Sequence, residues 1–318
     1  MSRIVVGDIG GTHARFAIAE LGDGTPTIGP MRRYRVRELT GLAEAWPKFA
    51  AECGGPLPRD AAIAVAAPIE GEVLRFMNSE WRIPRHSLGD DLGLDRLTLL
   101  NDFGAVAHAV SILGPDELAP LAGPEKLPEQ GIVSVIGPGT GLGVAMLVRR
   151  GGRIEVIETE AAHIGFSPLD PEEEELADAI VARYGRASVE RIVSGPGLID
   201  IHRFLGGGDW DPLKAGDLWS AAIEGESPIA VRALDILVRC FGAAAGDLSL
   251  AHGAMGVVIT GGIANRIAPL LRAPAFEARF TAKGRYRERM QRVPVMLATC
   301  AEPGLLGAAV AFQREWMS

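Results

Sequence analysis

Two short segments far apart in this chain share one design, and together they limit what it can fold into. In the first, an apolar run at residues 3–7 leads into Asp8-Ile9-Gly10-Gly11-Thr12 and returns through residues 14–19. In the second, residues 131–136 lead into Gly137-Pro138-Gly139-Thr140-Gly141-Leu142-Gly143 and return through residues 144–148. Gly151-Gly152 then turns the chain into a third extended run, residues 153–159. Each segment reads as strand, glycine turn, strand: a β-hairpin whose tip is rich in Gly and Thr. Two halves that each open this way imply an internally duplicated α/β fold, although the likeness is confined to the tips.

Between and after the hairpins, helical and extended patterns alternate, which is the mark of an α/β protein. Residues 39–53 and 103–113 read as helices, and residues 61–66 and 97–100 as strands. The chain then reads as mostly helical through residues 171–184, 189–192, 196–204 and 227–250. Strands at 256–260 and 294–298 precede a final helix at 303–314. At 318 residues the chain exceeds one ordinary core, so two domains are expected.

The chemistry expected of such hairpins is phosphate binding. Consecutive backbone N–H groups in a turn point at phosphate oxygens, and glycine allows close approach. Gly10-Gly11-Thr12 and Gly139-Thr140-Gly141 both fit, each with a threonine hydroxyl to add a donor. Asp8 stands where it would hold Mg²⁺ directly or through a water. A third glycine turn, Thr260-Gly261-Gly262-Ile263-Ala264-Asn265, follows a strand of apolar or small residues and offers a flat backbone surface for a purine. Any one of these turns is also what an ordinary hairpin or strand-to-helix connection requires. There is no GxxxxGK[ST] loop, and a glycine turn followed by a second strand argues against a dinucleotide fingerprint.

Asn101-Asp102 lies at the carboxyl end of an apolar strand, where α/β proteins place ligands. Position alone fits equally well with Asp102 as a cap for the next helix. Glu160-Ala161-Ala162-His163 sets a carboxylate three residues before an imidazole. A metal pair and a hydrogen-bonding pair for a hydroxyl-rich ligand both fit, and the absence of a second His or Cys cluster favours the latter. Asp170-Pro171 followed by four glutamates reads as a capped, acidic helix start with no catalytic part.

Composition removes several classes of function. The 40 acidic and 32 basic residues give a formal charge of −8 with no long basic run, so neither nucleic acid nor an anionic membrane is an expected partner. No apolar run approaches a membrane span, and the first residues lead into a core strand rather than a signal peptide. Cys53, Cys240 and Cys300 are widely spaced and form no CxxC pair, which fits a reducing cytoplasm.

Taken in order, Gly7 to Thr12, Met77-Asn78, Asn101-Asp102-Phe103, Gly137 to Gly143, Glu160 to His163, Val189 to Gly197, Thr260 to Ile263 and Pro303 to Gly307 resemble the bacterial glucokinase family. This is the branch of the actin/hexokinase superfamily without a zinc motif, and the match runs nearly end to end. The resemblance implies a two-domain actin-like ATPase (ribonuclease H-like) fold with a cleft between the domains. The small domain would be residues 1–110 plus 300–318, and the large domain residues 111–299. It implies ATP- and Mg²⁺-dependent phosphorylation of glucose at the 6-hydroxyl, the first step of glycolysis, by a cytoplasmic homodimer. Asp102 is then the base that takes the hydroxyl proton, and Asn78, Asn101, Asp102, Glu160, His163 and Glu190 contact the sugar. Asp8, Gly10, Gly11, Thr12, Gly139 and Thr140 hold phosphate and Mg²⁺, and Gly261 and Gly262 hold adenosine.

Two departures stand out. His13 replaces the family's usual Asn after the first turn, and Ala161-Ala162 replaces Gly-Gly, which bears on sugar affinity more than on reaction type. Three rival readings are a kinase for another hexose or amino sugar, a sugar-responsive repressor and an actin-like filament protein. With the first hairpin starting at Arg3, no DNA-binding domain is expected ahead of it. A filament protein would not carry Asn101-Asp102 and Glu160/His163 as a set.

Overall fold

Each of two sheets begins with an antiparallel hairpin and continues with parallel strands. They belong to separate compact units of a computed structural model, one formed by Met1–Leu113 with Cys300–Ser318 and the other by Gly114–Thr299. Residues 2–76, 79–209 and 215–317 are described.

In the first unit, β1 (Ser2–Ile9) pairs antiparallel with β2 (His13–Leu21), whose other edge carries β3 (Thr27–Ile28) and β4 (Arg32–Arg35). After helix α1 (Leu42–Glu52) comes β5 (Asp60–Val65), parallel to β1. The small hairpin β6 (Val73–Arg75) and β7 (Arg82–Pro84) and the turn of helix α2 (Leu88–Asp91) lead to β8 (Arg96–Asn101), parallel to β5. β8 runs directly into α3 (Asp102–Val110). The sheet order is β3-β2-β1-β5-β8.

The faces of this sheet are filled differently. On one, Phe16 meets Tyr34, Trp46 and Phe49 with ring centroids 6.2, 6.1 and 5.6 Å apart. The other is covered by the C-terminal helix, Pro303–Trp316, which packs on α3 through small residues. A Cβ on Gly307 would run into the Ala105 carbonyl, so only glycine allows this approach. The contact fixes the start of α3, and with it Asp102.

In the second unit, β9 (Leu118–Ala122) lies at one edge, followed by β10 (Gly131–Pro138), β11 (Leu142–Arg150) and β12 (Arg153–Thr159) as an antiparallel meander. Helices α4 (Pro171–Tyr184), α5 (Val189–Ile192), α6 (Gly195–His202), α7 (Ala215–Glu224) and α8 (Pro228–His252) come next. β13 (Gly256–Ile259) follows, then α9 (Gly262–Arg266), α10 (Ala268–Leu271), α11 (Pro274–Thr281), α12 (Arg287–Met290) and β14 (Val295–Ala298). The sheet order is β12-β11-β10-β13-β14-β9, with β10, β13 and β14 parallel. The first five strands repeat the first sheet's plan: three antiparallel strands, then two parallel ones. This is the duplication that the two tips announce.

Local chemistry explains the element ends. The Asp170 side chain accepts the Glu173 N–H at 3.0 Å, Pro171 opens α4, and Gly185 closes it at φ 79°. One glutamate of that acidic run has a second part: Glu173 is fully buried and paired with Arg279 of α11. The helix expected at residues 39–53 is shorter, Leu42–Glu52, and that expected at 196–204 is Gly195–His202. β9 went unread because Pro120 interrupts its apolar pattern; the strand survives as a sheet edge, where a missing N–H is tolerated. Among the described residues no helix is long and apolar enough to cross a membrane.

Candidate active site

In the first unit, the β1–β2 tip has a tight backbone closure: the Gly10 N–H donates to the His13 carbonyl at 2.9 Å. Thr12 is exposed at the tip, with its carbonyl accepting the Val36 N–H at 3.0 Å. Asp8 is the register partner of Arg15 across the hairpin, and Arg15 Nη1 donates to Asp8 Oδ2 at 2.8 Å. Arg15 Nε lies 3.3 Å from Glu302 Oε2, and Arg33 Nη2 donates to Glu302 Oε1 at 3.3 Å. Glu302 immediately precedes the C-terminal helix with φ 49°, a left-handed conformation that side chains other than glycine seldom adopt. Beneath Asp8, a Cβ on Gly304 would stand 2.9 Å from the Asp8 Cγ.

Burial pushes the Asp8 carboxyl above its ordinary range, against the pull of Arg15. Arg15 takes Oδ2, and among the described residues Oδ1 has no hydrogen bond. One hard oxygen beside a turn that can hold phosphate suits Mg²⁺, which binds through one or two carboxylates plus substrate phosphates. Burial and the charges of Arg15, Arg33 and Arg35 hold the His13 imidazole below its usual range. At neutral pH His13 is therefore an uncharged ring, closer in character to the amide it replaces.

At the end of β8, the capping falls to Asn101 rather than Asp102. Asn101 Oδ1 accepts the Phe103 N–H at 2.8 Å and the Gly104 N–H at 3.2 Å, and Nδ2 donates to the Ala67 carbonyl at 3.3 Å. Asp102 is the first helical residue, and its Oδ1 accepts the Phe103 N–H at 2.9 Å. Its carboxylate thus lies at the positive end of α3, which favours negative charge. Asn78, also expected at the sugar, lies outside the described residues.

In the second unit, the β10–β11 tip closes through the Gly139 N–H, which donates to the Gly141 carbonyl at 2.7 Å, with Thr140 exposed. The Gly195 N–H donates to the Gly139 carbonyl at 2.8 Å. Glu160 and His163 flank a single 3-10 turn, with Glu160 Oε2 3.7 Å from His163 Nε2. Glu190, on α5, joins them: its Oε1 is 4.0 Å from His163 Nδ1. The segments meet because Gly165 bridges Ser188 and the Val189 N–H donates to the Ile164 carbonyl at 3.0 Å. The result is two carboxylates and an imidazole able to pair with several hydroxyls. Among the described residues no group of three or more side chains is disposed to hold a metal. Ala162 is buried in the core and the partly buried Ala161 packs against it, so both methyls of this departure from Gly-Gly have core contacts.

The third turn leaves β13 at Thr260, whose N–H donates to the Ile136 carbonyl at 3.0 Å. Gly261 has φ 98°, and Gly262 opens α9, exposed. Asn265 Nδ2 ties the turn by donating to the Gly261 and Ala298 carbonyls, each at 3.1 Å.

Sequence reasoning missed Arg15, Glu302 and the Gly195 N–H. Arg15 was within reach, since counting across the hairpin pairs it with Asp8. Glu302 and Gly195 join their sites only through tertiary contacts.

The glucokinase family model matches residues 5–315. The glucokinase of Zymomonas mobilis is 46% identical over 98% of this chain and 98% of that protein. The crystal structure of a glucokinase from an Antarctic psychrotroph superposes with a TM-score of 0.83 at 29% identity, covering 99% of each chain. A ROK family glucokinase from Streptomyces griseus, solved with glucose and AMPPNP, is similar in fold, with a TM-score of 0.65 at 19% identity over 97% of this chain and 98% of that one.

Proposed function

The chain belongs to the glucokinase family, and from that premise we propose that it transfers the γ-phosphoryl group of ATP to the 6-hydroxyl of glucose. The observation that carries the reaction type is Asp102, a carboxylate on the first turn of a helix that directly follows a parallel strand. Phosphoryl transfer asks the protein for positioning, charge neutralisation and a group oriented on the nucleophile. Asp102 orients the 6-hydroxyl and takes its proton. Asn101 positions Asp102 by capping α3. Glu160, His163 and Glu190 pair with the other hydroxyls, so a sugar with the wrong pattern leaves a polar group unpaired at about 1–3 kcal/mol.

The N–H groups of the two tips receive the phosphates, and Gly261-Gly262 receives the adenosine. Asp8 would hold Mg²⁺, which when bound neutralises phosphate charge. A homodimer in a reducing cytoplasm completes the proposal, in keeping with family membership.

A panel of hexoses and amino sugars with coupled ADP detection tests the substrate. Glucose is expected to give the highest kcat/KM. Turnover with mannose or glucosamine but none with glucose would overturn the sugar assignment and leave the family intact.

A further inference from the structure

The Glu190 carboxylate faces two ways. Oε1 looks toward His163 on the sugar side, while Oε2 accepts the Leu142 N–H at 3.1 Å, directly after the second glycine tip. The same oxygen fills the space a side chain at position 141 would need, since a Cβ on Gly141 would collide with it. Five residues on, the Gly195 N–H holds the other side of the tip through the Gly139 carbonyl at 2.8 Å. The tip is therefore gripped at both ends by the segment that carries Glu190. That segment is in turn fastened to the Glu160–His163 turn by the Gly165–Ser188 bridge.

We propose that Glu190 is a positioning residue for the nucleotide's phosphates as well as a sugar contact, and that it couples the two ligands. The proposal rests on the functional reading above: the tip binds phosphate and Glu190 faces sugar. A carboxylate accepting a backbone N–H makes a charge-assisted bond that fixes the direction of the neighbouring donors. A sugar hydroxyl donating to Oε1 fixes the same side chain. Whichever ligand arrives first therefore pre-orders part of the other's site, and by linkage each tightens the other by the same factor, about 5- to 150-fold in typical cases.

Equilibrium titrations of the full chain with Mg²⁺ and AMPPNP, with and without glucose, test this in wild type, Glu190→Ala and Glu190→Gln. Wild type should bind AMPPNP at least about fivefold more tightly when glucose is present. Without any sugar, Glu190→Ala should bind AMPPNP about tenfold more weakly, because the Leu142 N–H loses its acceptor. Glu190→Gln keeps an oxygen for that N–H, so its sugar-free AMPPNP affinity should recover toward wild type even though its glucose affinity falls. Circular dichroism and a thermal melt establish that both variants are folded. His163→Ala serves as the sugar-side comparison and should weaken glucose. AMPPNP binding as tight in Glu190→Ala as in wild type, with glucose binding lost, would overturn the coupling and leave Glu190 a sugar contact alone. If wild type neither binds AMPPNP nor phosphorylates glucose, the functional reading fails and the coupling fails with it.

Discussion

The two hairpin tips look alike in sequence but are held by different forces. The β1–β2 tip leans on charge: Asp8, Arg15, Glu302 and Arg33 form a chain of ion pairs ending at the start of the C-terminal helix. The β10–β11 tip is gripped through its backbone groups by a distant segment: the Gly139 carbonyl and Leu142 N–H are taken by Gly195 and Glu190. The first arrangement leaves a buried carboxylate beside its tip, which the proposed function uses for a cation. The second fastens its tip to the segment that carries Glu190, through which the proposal links phosphate and sugar. The same turn thus recurs in both units, each time with a different support.

The largest expected effect leaves both supports intact. Asp102→Asn should lower kcat by roughly 10² or more, since general bases contribute about 10²–10⁴. AMPPNP and glucose affinities should stay near wild type in calorimetric titrations, because Asn keeps the shape at the head of α3. Near-normal turnover would reduce Asp102 to part of a helix start.

The comparison itself is tested by adding one methyl group to each tip. Gly141→Ala drives a Cβ into the Glu190 carboxylate. Relieving that contact costs the Glu190 carboxylate its bond to the Leu142 N–H, so the melting temperature should fall by a few degrees. Gly10→Ala places its Cβ 3.6 Å from the His13 carbonyl, an ordinary contact, and should leave the melting temperature near wild type. Equal shifts in thermal melts would mean that the two tips are supported alike.

These supports were only partly legible in the sequence. Hairpins, glycine tips and the capped acidic helix were readable because each depends on neighbours a few residues apart. Asn101 and Asp102 are equally good caps, so the sequence could not say which of them takes the position; the register at the end of β8 decides it. Glu190 meets Leu142 across 48 positions, and Glu302 meets Arg33 across 269, contacts that no local pattern encodes. β6 and β7, three residues each, are too short to leave a period.

The ionic character of the first unit should also show in its pH response. His108, on α3, is half-buried beside Arg314, whose Nη1 donates to His108 Nδ1 at 3.0 Å. Burial first, and the Arg314 charge second, lower its pKa from 6.5 to about 4. A depressed histidine is neutral in the fold and stabilises it fully above the unfolded value. That contribution is lost as pH falls from about 6.5 toward about 4, because the unfolded chain takes up the proton first. Denaturant unfolding across that range should show a loss of up to about 3 kcal/mol that His108→Gln removes. An identical pH slope in the variant would assign the loss to other groups.

The smallest effect concerns the partly exposed end of the first network. Glu302→Gln keeps the shape and removes the charge that Arg15 and Arg33 share. Ion pairs of this exposure are worth about 0.2–1 kcal/mol, so the melting temperature should fall by only a few degrees. Raised salt should shrink the difference from wild type. A difference that persists in high salt would show that Glu302 acts through its left-handed backbone rather than its charge.

Transfer of a phosphoryl group to one particular hydroxyl leaves a product whose ester position can be read. Purified protein incubated with glucose, ATP and Mg²⁺ can be followed by ³¹P NMR with ¹H–³¹P correlation. The expected result is a phosphomonoester coupled to the C6 methylene protons, accumulating in step with ADP and lost in Asp102→Asn. Phosphate on any other carbon, or ADP released with inorganic phosphate and no sugar ester, would rule out transfer to the 6-hydroxyl.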